Sequence, residues 1–320
     1  MKKLLSLLLI LCCVPLTYAQ DKSELRKGVE AYQNDDAASA LKHYNNYIKN
    51  YPDDSDALYL RAIVLSDEYN RYNDALSDIT HAIKAHTKKT RTNKATLYQL
   101  RALIYEAIDA YDAALTDYNT ALKLAPENTD ILCSRAQIYY DREDYNLSNK
   151  DYNEVLRIDP NCLEAEIGLA RNQIAIKQFQ AAIDLLCKVE KVDNTYSAVY
   201  RFRSEAYYEM GNHRKAVDDL IKFFEVDHIV NYYIQRLIDY SAQIPTYTIA
   251  RLGSAIAKKS DDWELTYVRG RLYSNQEKYE LALKDYIKVK ELLENPDPSI
   301  LYSIGYCYAE FKFQMQRNSY

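Results

Sequence analysis

Glycine and proline are scarce in this chain, at six and seven among 320 residues. A sheet protein of this length needs many more tight turns, so the shortage points to helices. Tryptophan occurs once and methionine three times, which leaves most of the aromatic weight to 32 tyrosines. After residue 19 no segment approaches the about twenty apolar residues of a membrane-spanning helix. Neither charge sign dominates. The 41 Lys and Arg are scattered among 46 Asp and Glu, for a net charge of −5, so no basic face for a nucleic-acid backbone is expected. A glycine-rich phosphate loop and a nucleophile elbow are both missing. His43, His81, His86, His213 and His228 are too far apart in sequence for metal-ligand spacing. The expectation is a chain without catalytic, cofactor or metal residues.

What is present begins with a distinct leader. Lys2 and Lys3 precede an apolar run from Leu4 to Leu16, and Thr17-Tyr18-Ala19 places small residues three and one before a cut. This pattern reads as a secretory signal peptide over residues 1–19, with the mature chain starting at Gln20. Export to the periplasm or the cell exterior follows, in a bacterial envelope. Cys12 and Cys13 leave a second possibility, an acylated cysteine as membrane anchor, although Leu11 before Cys12 is not the small residue such a signal wants. The later Cys133, Cys162, Cys187 and Cys307 are too dispersed for a disulfide framework and read as small buried apolar residues. With 48% hydrophobic and 27% charged residues, the remainder has the composition of a folded protein.

Internal repetition carries the strongest signal. Tyr98-Gln-Leu-Arg101-Ala102-Leu-Ile-Tyr105 returns 34 residues later as Leu132-Cys-Ser-Arg135-Ala136-Gln-Ile-Tyr139, and again as Tyr200-Arg-Phe-Arg203-Ser204-Glu-Ala-Tyr207. Ala114-Leu115-Thr-Asp117-Tyr118 and its continuation to Pro126 match the segment Asp151-Tyr152 to Pro160. Each unit holds two apolar stripes at helical spacing around a short polar turn such as Met210-Gly211-Asn212. The eighth place is small in Gly28, Ala62, Ala102, Ala136, Ala170, Ser204, Gly270 and Gly305. The twentieth place is small in Ala40, Ala75, Ala114, Ser148, Ala182, Ala216 and Ala282. Two helices approach closely only where no large side chain separates them. Pro52, Pro126 and Pro160 end the second helix of their units.

This pattern resembles the tetratricopeptide repeat. The resemblance implies an all-α, right-handed solenoid, a superhelix of antiparallel helix pairs, over residues 20–314. Units begin near residues 21, 55, 95, 129, 163, 197, 229 and 263, with a partial unit from 298 and a tail over 315–320. Two units fit least well. The second runs long through Thr87 to Lys94, read as an extended loop, and the seventh has Pro245 and puts Arg236 where a small residue is expected.

Five units carry Arg at the seventh place and Asp at the twenty-third: Arg61 with Asp78, Arg101 with Asp117, Arg135 with Asp151, Arg203 with Asp219, and Arg269 with Asp285. The others lose both together, as Lys27 and His43, Leu169 and Leu185, and Gln235 and Arg251. Joint presence and joint absence point to contact between the two helices of a unit. A ladder of ligand-binding arginines is the alternative, but it gives no reason for Asp to accompany Arg.

In tetratricopeptide repeat proteins the first helices line the concave face, where partner segments lie. The resemblance therefore puts Tyr32, Tyr59, Tyr140 and Tyr208 there, with a denser set of Tyr233, Tyr240, Tyr267, Tyr302 and Tyr306. Arg171, Arg201 and Arg271 join them. Tyr and Arg are the residues that anchor protein interfaces, so a protein or peptide partner is expected in the groove. The clamp with which some members hold a carboxyl terminus is missing, because Leu25, Val29, Tyr59, Ile63, Gln99 and Leu103 occupy its places. The expected function is a non-enzymatic envelope adaptor. A structural subunit of an envelope or secretion assembly is the alternative.

Overall fold

The structure, a computed structural model, describes residues 22–227 and 231–317. The leader and its two cysteines lie outside the described residues, as do His228 and the last three residues of the expected tail. The described residues form seventeen α-helices and no strand. The fold is all-α. The chain divides into two compact units, Met1–Pro160 and Asn161–Tyr320.

The first unit contains α1 (Ser23–Gln33), α2 (Ala37–Asn50), α3 (Ser55–Asp67), α4 (Tyr72–Ala85), α5 (Lys94–Ala107), α6 (Tyr111–Leu124), α7 (Thr129–Asp141) and α8 (Tyr145–Ile158). Consecutive helices pair as hairpins, and each hairpin packs on the next. Capping sets many of the starts. Asp36, Asp54, Asn93, Asn128 and Asp144 each accept a backbone N–H from three residues ahead. The hairpin turns share another device: Asp35, Asn70, Asp109 and Glu143 each sit in the left-handed region, at φ of 52–62°. With that one residue, turns of three or four residues reverse the chain.

The turn holding Asn70 is one residue longer than the others. It moves Ala75 and Asp78 one place further along their unit than the repeat spacing predicts. Both side chains nevertheless reach the seam, since Ala75 is fully buried and Asp78 meets Arg61. The extended loop before α5 is pinned by the Asp56 carboxylate, which accepts the backbone N–H groups of Arg91 and Thr92.

The second unit contains α9 (Leu163–Ala175), α10 (Phe179–Val192), α11 (Ser197–Glu209), α12 (His213–Val226), α13 (Asn231–Ser241), α14 (Pro245–Lys258), α15 (Trp263–Asn275), α16 (Tyr279–Leu292) and α17 (Pro298–Arg317). Lys177, Gly211 and Glu277 supply the positive φ in three of its turns. Between α13 and α14 none of the described turn residues has one. These two helices do not close on each other, and both pack instead on α12 and α15. The partial last unit is one long helix, and it runs three residues past the expected end at 314.

The small places lie at the seams. Ala40, Ala62, Ala75, Ala102, Ala114, Ala136, Ala170, Ala182, Ala216 and Ala282 are fully buried, as are Ser148 and Ser204. At Gly28 an added Cβ would stand 2.5 Å from the Tyr44 ring, and at Gly270 2.9 Å from that of Tyr286. Only glycine admits those rings. Of the four cysteines, Cys307 is buried, whereas Cys133, Cys162 and Cys187 are half-buried, so the reading as buried apolar residues is corrected for these three.

Candidate functional site

The five arginines at the seventh place face inward. In each pair Nε and Nη2 donate to the two carboxylate oxygens of the Asp, at 2.6–2.8 Å. Such two-point geometry fixes both side chains. Four of them also use Nη1 to reach the preceding second helix. Arg61 donates to Asn45, Arg101 to Thr80, Arg135 to Asn119 and Arg203 to Glu190. Each of these four guanidinium groups thus ties three helices together and has few donors left for a ligand. The sequence reading did not single out these acceptors: Asn45, Asn119 and, allowing for the longer turn, Thr80 share one place in the repeat, whereas Glu190 lies three places further on.

The charged state suits this role. The hydrogen bond donated to Asp117 is the largest influence on Arg101 and pushes its pKa up, as the one to Asp285 does for Arg269. Burial works against the charge of Arg203, but two carboxylates, Asp219 and Glu190, outweigh it and push its pKa up. Burial also pushes the Asp219 carboxyl up, against the pull of Arg203. Two directly bonded donors on Asp219 favour the ion pair.

The first helices of the second unit carry a separate cluster. Arg201 lies 4.1 Å over the Phe202 ring, and its Nη1 donates to the Tyr233 hydroxyl at 3.0 Å. Arg171 approaches the same Phe202 ring at 5.3 Å. Arg236 stands over the Tyr232 and Tyr240 rings and donates to Glu205. Further along, Arg271 donates to the Tyr267 hydroxyl at 3.3 Å. Cations resting on aromatic faces are held in place before any partner arrives. Phe202 and Glu205 escaped the sequence reading, which looked only for Tyr and Arg. Their signal was position, since both lie on the helix that carries Arg201.

The structure divides the expected tyrosines. Tyr233 and Tyr267 are half-buried, each against its neighbours, with Tyr267 5.7 Å from the Tyr286 ring. Tyr302 is 75% exposed and Tyr306 is exposed, its ring edge-on to Tyr279. A hydrogen bond donated to Tyr306 pushes the Tyr279 hydroxyl up to about 12. Tyr240 was expected at the surface and is buried instead. It stacks flat on Tyr208 with ring centroids 3.8 Å apart, under the Arg236 cation. Tyr59 is likewise buried, because α3 is packed by α1, α2, α4 and α5.

On the first helices of the first unit, acidic side chains shift two half-buried groups. Asp67 and Glu68 add to burial in pushing the Tyr32 hydroxyl up, and burial pushes the Glu106 carboxyl up, with Asp141 adding to it. Among the described residues no three His, Cys, Asp or Glu side chains gather as a metal site needs, and no helix is long and apolar enough to cross a membrane.

Comparison with known proteins agrees with the repeat. Tetratricopeptide repeat models match residues 25–79, 95–128 and 129–162. A tetratricopeptide repeat protein of Parabacteroides merdae is similar in structure, with a TM-score of 0.59 at 18% identity, covering 90% of this chain and 98% of that one. The yeast protein Tom70 is similar at a TM-score of 0.54 and 17% identity, over 92% of this chain and 65% of its own. In sequence, a repeat-containing protein of Methanocaldococcus jannaschii is 22% identical over 214 residues, which is 64% of this chain and 36% of that protein. A 131 kDa subunit of transcription factor tau from Saccharomyces cerevisiae is 26% identical over 121 residues, 38% of this chain and 11% of the subunit. The chain thus spans at most about a third of the length of these curated relatives. At these identities the structural likenesses establish the fold alone.

Proposed function

We propose that this chain, which carries tetratricopeptide repeats over residues 25–79 and 95–162 and has their all-α fold, is a non-enzymatic adaptor of the bacterial cell envelope. Proteins built of this repeat are interaction scaffolds. The adaptor holds an extended segment of a partner protein against the first helices of the second unit. The observation that carries this reading is the set of preset cations there: Arg171 and Arg201 on the Phe202 ring, and Arg271 tied to Tyr267. Their charge fits a segment bearing carboxylates, and guanidinium groups bind carboxylates at two points. The leader over residues 1–19 supports the envelope as the place of action.

The test is affinity capture of the tagged chain from its native envelope, read by mass spectrometry. Replacing Arg171→Gln and Arg271→Gln together should weaken capture at least about thirtyfold, the effect of losing an interface anchor. Gln99→Ala and Gln137→Ala, on first helices of the other unit, serve as controls that keep the partner. In the same digest the N-terminal peptide of the bait should begin at Gln20. Equal retention by both variant sets would remove the basis for this surface, and an acylated cysteine at the N-terminus would turn the adaptor into a membrane-anchored one.

A further inference from the structure

Among the described residues, α17 stands in the place of a first helix and packs chiefly on α16. In the third, fourth and sixth hairpins the fourth, eighth and eleventh places carry Tyr98-Ala102-Tyr105, Leu132-Ala136-Tyr139 and Tyr200-Ser204-Tyr207. Each of these hairpins buries or half-buries that triplet. In α17 the same places carry Leu301, Gly305 and Tyr308, so the pattern for receiving a helix is complete. There Leu301 is 47% and Tyr308 62% exposed. A Cβ built on Gly305 meets nothing within 4 Å, whereas one on Gly28 or Gly270 strikes a tyrosine ring of the second helix.

The inward face of α17 is already used. Ile300 and Cys307 are buried, and Ile304 and Phe311 pack on the cluster around Tyr279 and Tyr286 of α16. The outward face is nonetheless apolar. Among the described residues, six of the seventeen exposed large apolar side chains belong to this one helix. A terminal helix that merely caps a repeat stack has a polar outer face. Exposed apolar surface of this density marks an interaction site.

The order of the outward side chains identifies the occupant. Leu301, Gly305, Ala309 and Phe313 follow one another at four-residue spacing, all exposed. They read large, small, small, large, which is the same in either direction. Laid antiparallel on a second copy, the row sets Gly305 against Ala309 and Leu301 against Phe313, twice over. A two-fold contact requires such self-complementarity, since each residue must face the counterpart of its own partner. Rows of four-residue spacing are also the ridges along which helices interlock. Antiparallel is also the direction of the second helix within the closed hairpins of this chain. We propose that α17 is a self-association helix, and that two copies of this chain pair through it about a two-fold axis passing between Gly305 and Ala309.

Sedimentation equilibrium of the purified protein over a wide concentration range tests this. A monomer–dimer equilibrium is expected. Gly305→Arg, which fits the open space in the monomer and favours helix, should weaken the dimer at least about thirtyfold without changing the circular dichroism or the melting temperature of the monomer. Phe313→Ser should do the same, and Ile287→Ser, exposed on α16, should leave the dimer intact. Under mild oxidation, a chain carrying G305C should cross-link faster to one carrying A309C than to another G305C chain. A chain that stays monomeric at every concentration overturns the proposal, and so does a dimer indifferent to Gly305→Arg. Preferential linkage of two G305C chains would overturn the antiparallel register. None of these residues belongs to the Arg171, Arg201 and Arg271 cluster, so failure here leaves the adaptor reading standing.

Discussion

Two hairpins of the second unit, α9–α10 and α13–α14, both lack the Arg–Asp pair, yet only the first one closes. In α9–α10 the pair is replaced by Leu169 and Leu185, and Ala170 at the eighth place is fully buried. In α13–α14 the replacements are Gln235 and Arg251, and the eighth place is Arg236. A cation at a hairpin seam would lose its water and gain no partner there. Helix α13 instead buries Ile234, Leu237, Ile238, Tyr240 and Ser241, and Arg236 turns toward Glu205 of α11. The comparison teaches that the ion pair is dispensable and the small residue is not. Closure of a hairpin is decided by how near two backbones can come.

The largest expected effect follows from moving the obstacle. Ala170→Arg should destabilise the second unit by at least about 3 kcal/mol, through overpacking together with an unpaired buried charge. Arg236→Ala should cost no more than about 1 kcal/mol, since it removes only a half-buried ion pair and two ring contacts. Urea unfolding followed by far-ultraviolet circular dichroism reads both. A mild Ala170→Arg variant would break the comparison.

An intermediate effect concerns the pair. Arg135→Leu should cost about 2–4 kcal/mol, because Asp151, only 4% exposed, is left buried beside an apolar side chain. Arg135→Leu with Asp151→Leu copies the α9–α10 solution and should recover much of the loss. If the double variant is no more stable than the sum of the two single changes, the pair is not the coupled element described here.

The smallest effect distinguishes the two turns by sign. Lys177 holds φ at 61° between α9 and α10, a conformation that costs a side-chain-bearing residue about 1 kcal/mol or more. Lys177→Gly should therefore raise the melting temperature. Gln243 stands at the equivalent place before α14 without positive φ, so Gln243→Gly should lower it through greater freedom of the unfolded chain. Shifts of the same sign would mean that the two turns are alike after all.

Much of this was legible in the residues themselves. A 34-residue period with small residues at two fixed places specified helix hairpins, since period and side-chain size are properties of sequence. The Arg–Asp geometry was readable because the two residues vary together within one chain. Arg236 and Pro245 marked the irregular hairpin, though not the way it resolves. Tyr59 and Tyr240 were misjudged because first helices have neighbours on more than one side, and a repeat register records only the side shared by all units.

The sequence by itself determined the helices, the seams and the places where a small residue is obligatory, because these depend on local periodicity and steric size. Only the tertiary structure decided which tyrosines are surface and which are core, and which acceptors complete each arginine. It alone left the Leu301-Gly305-Tyr308 face of α17 open while its equivalents are covered. Exposure depends on what packs alongside, and residues distant in the chain supply that.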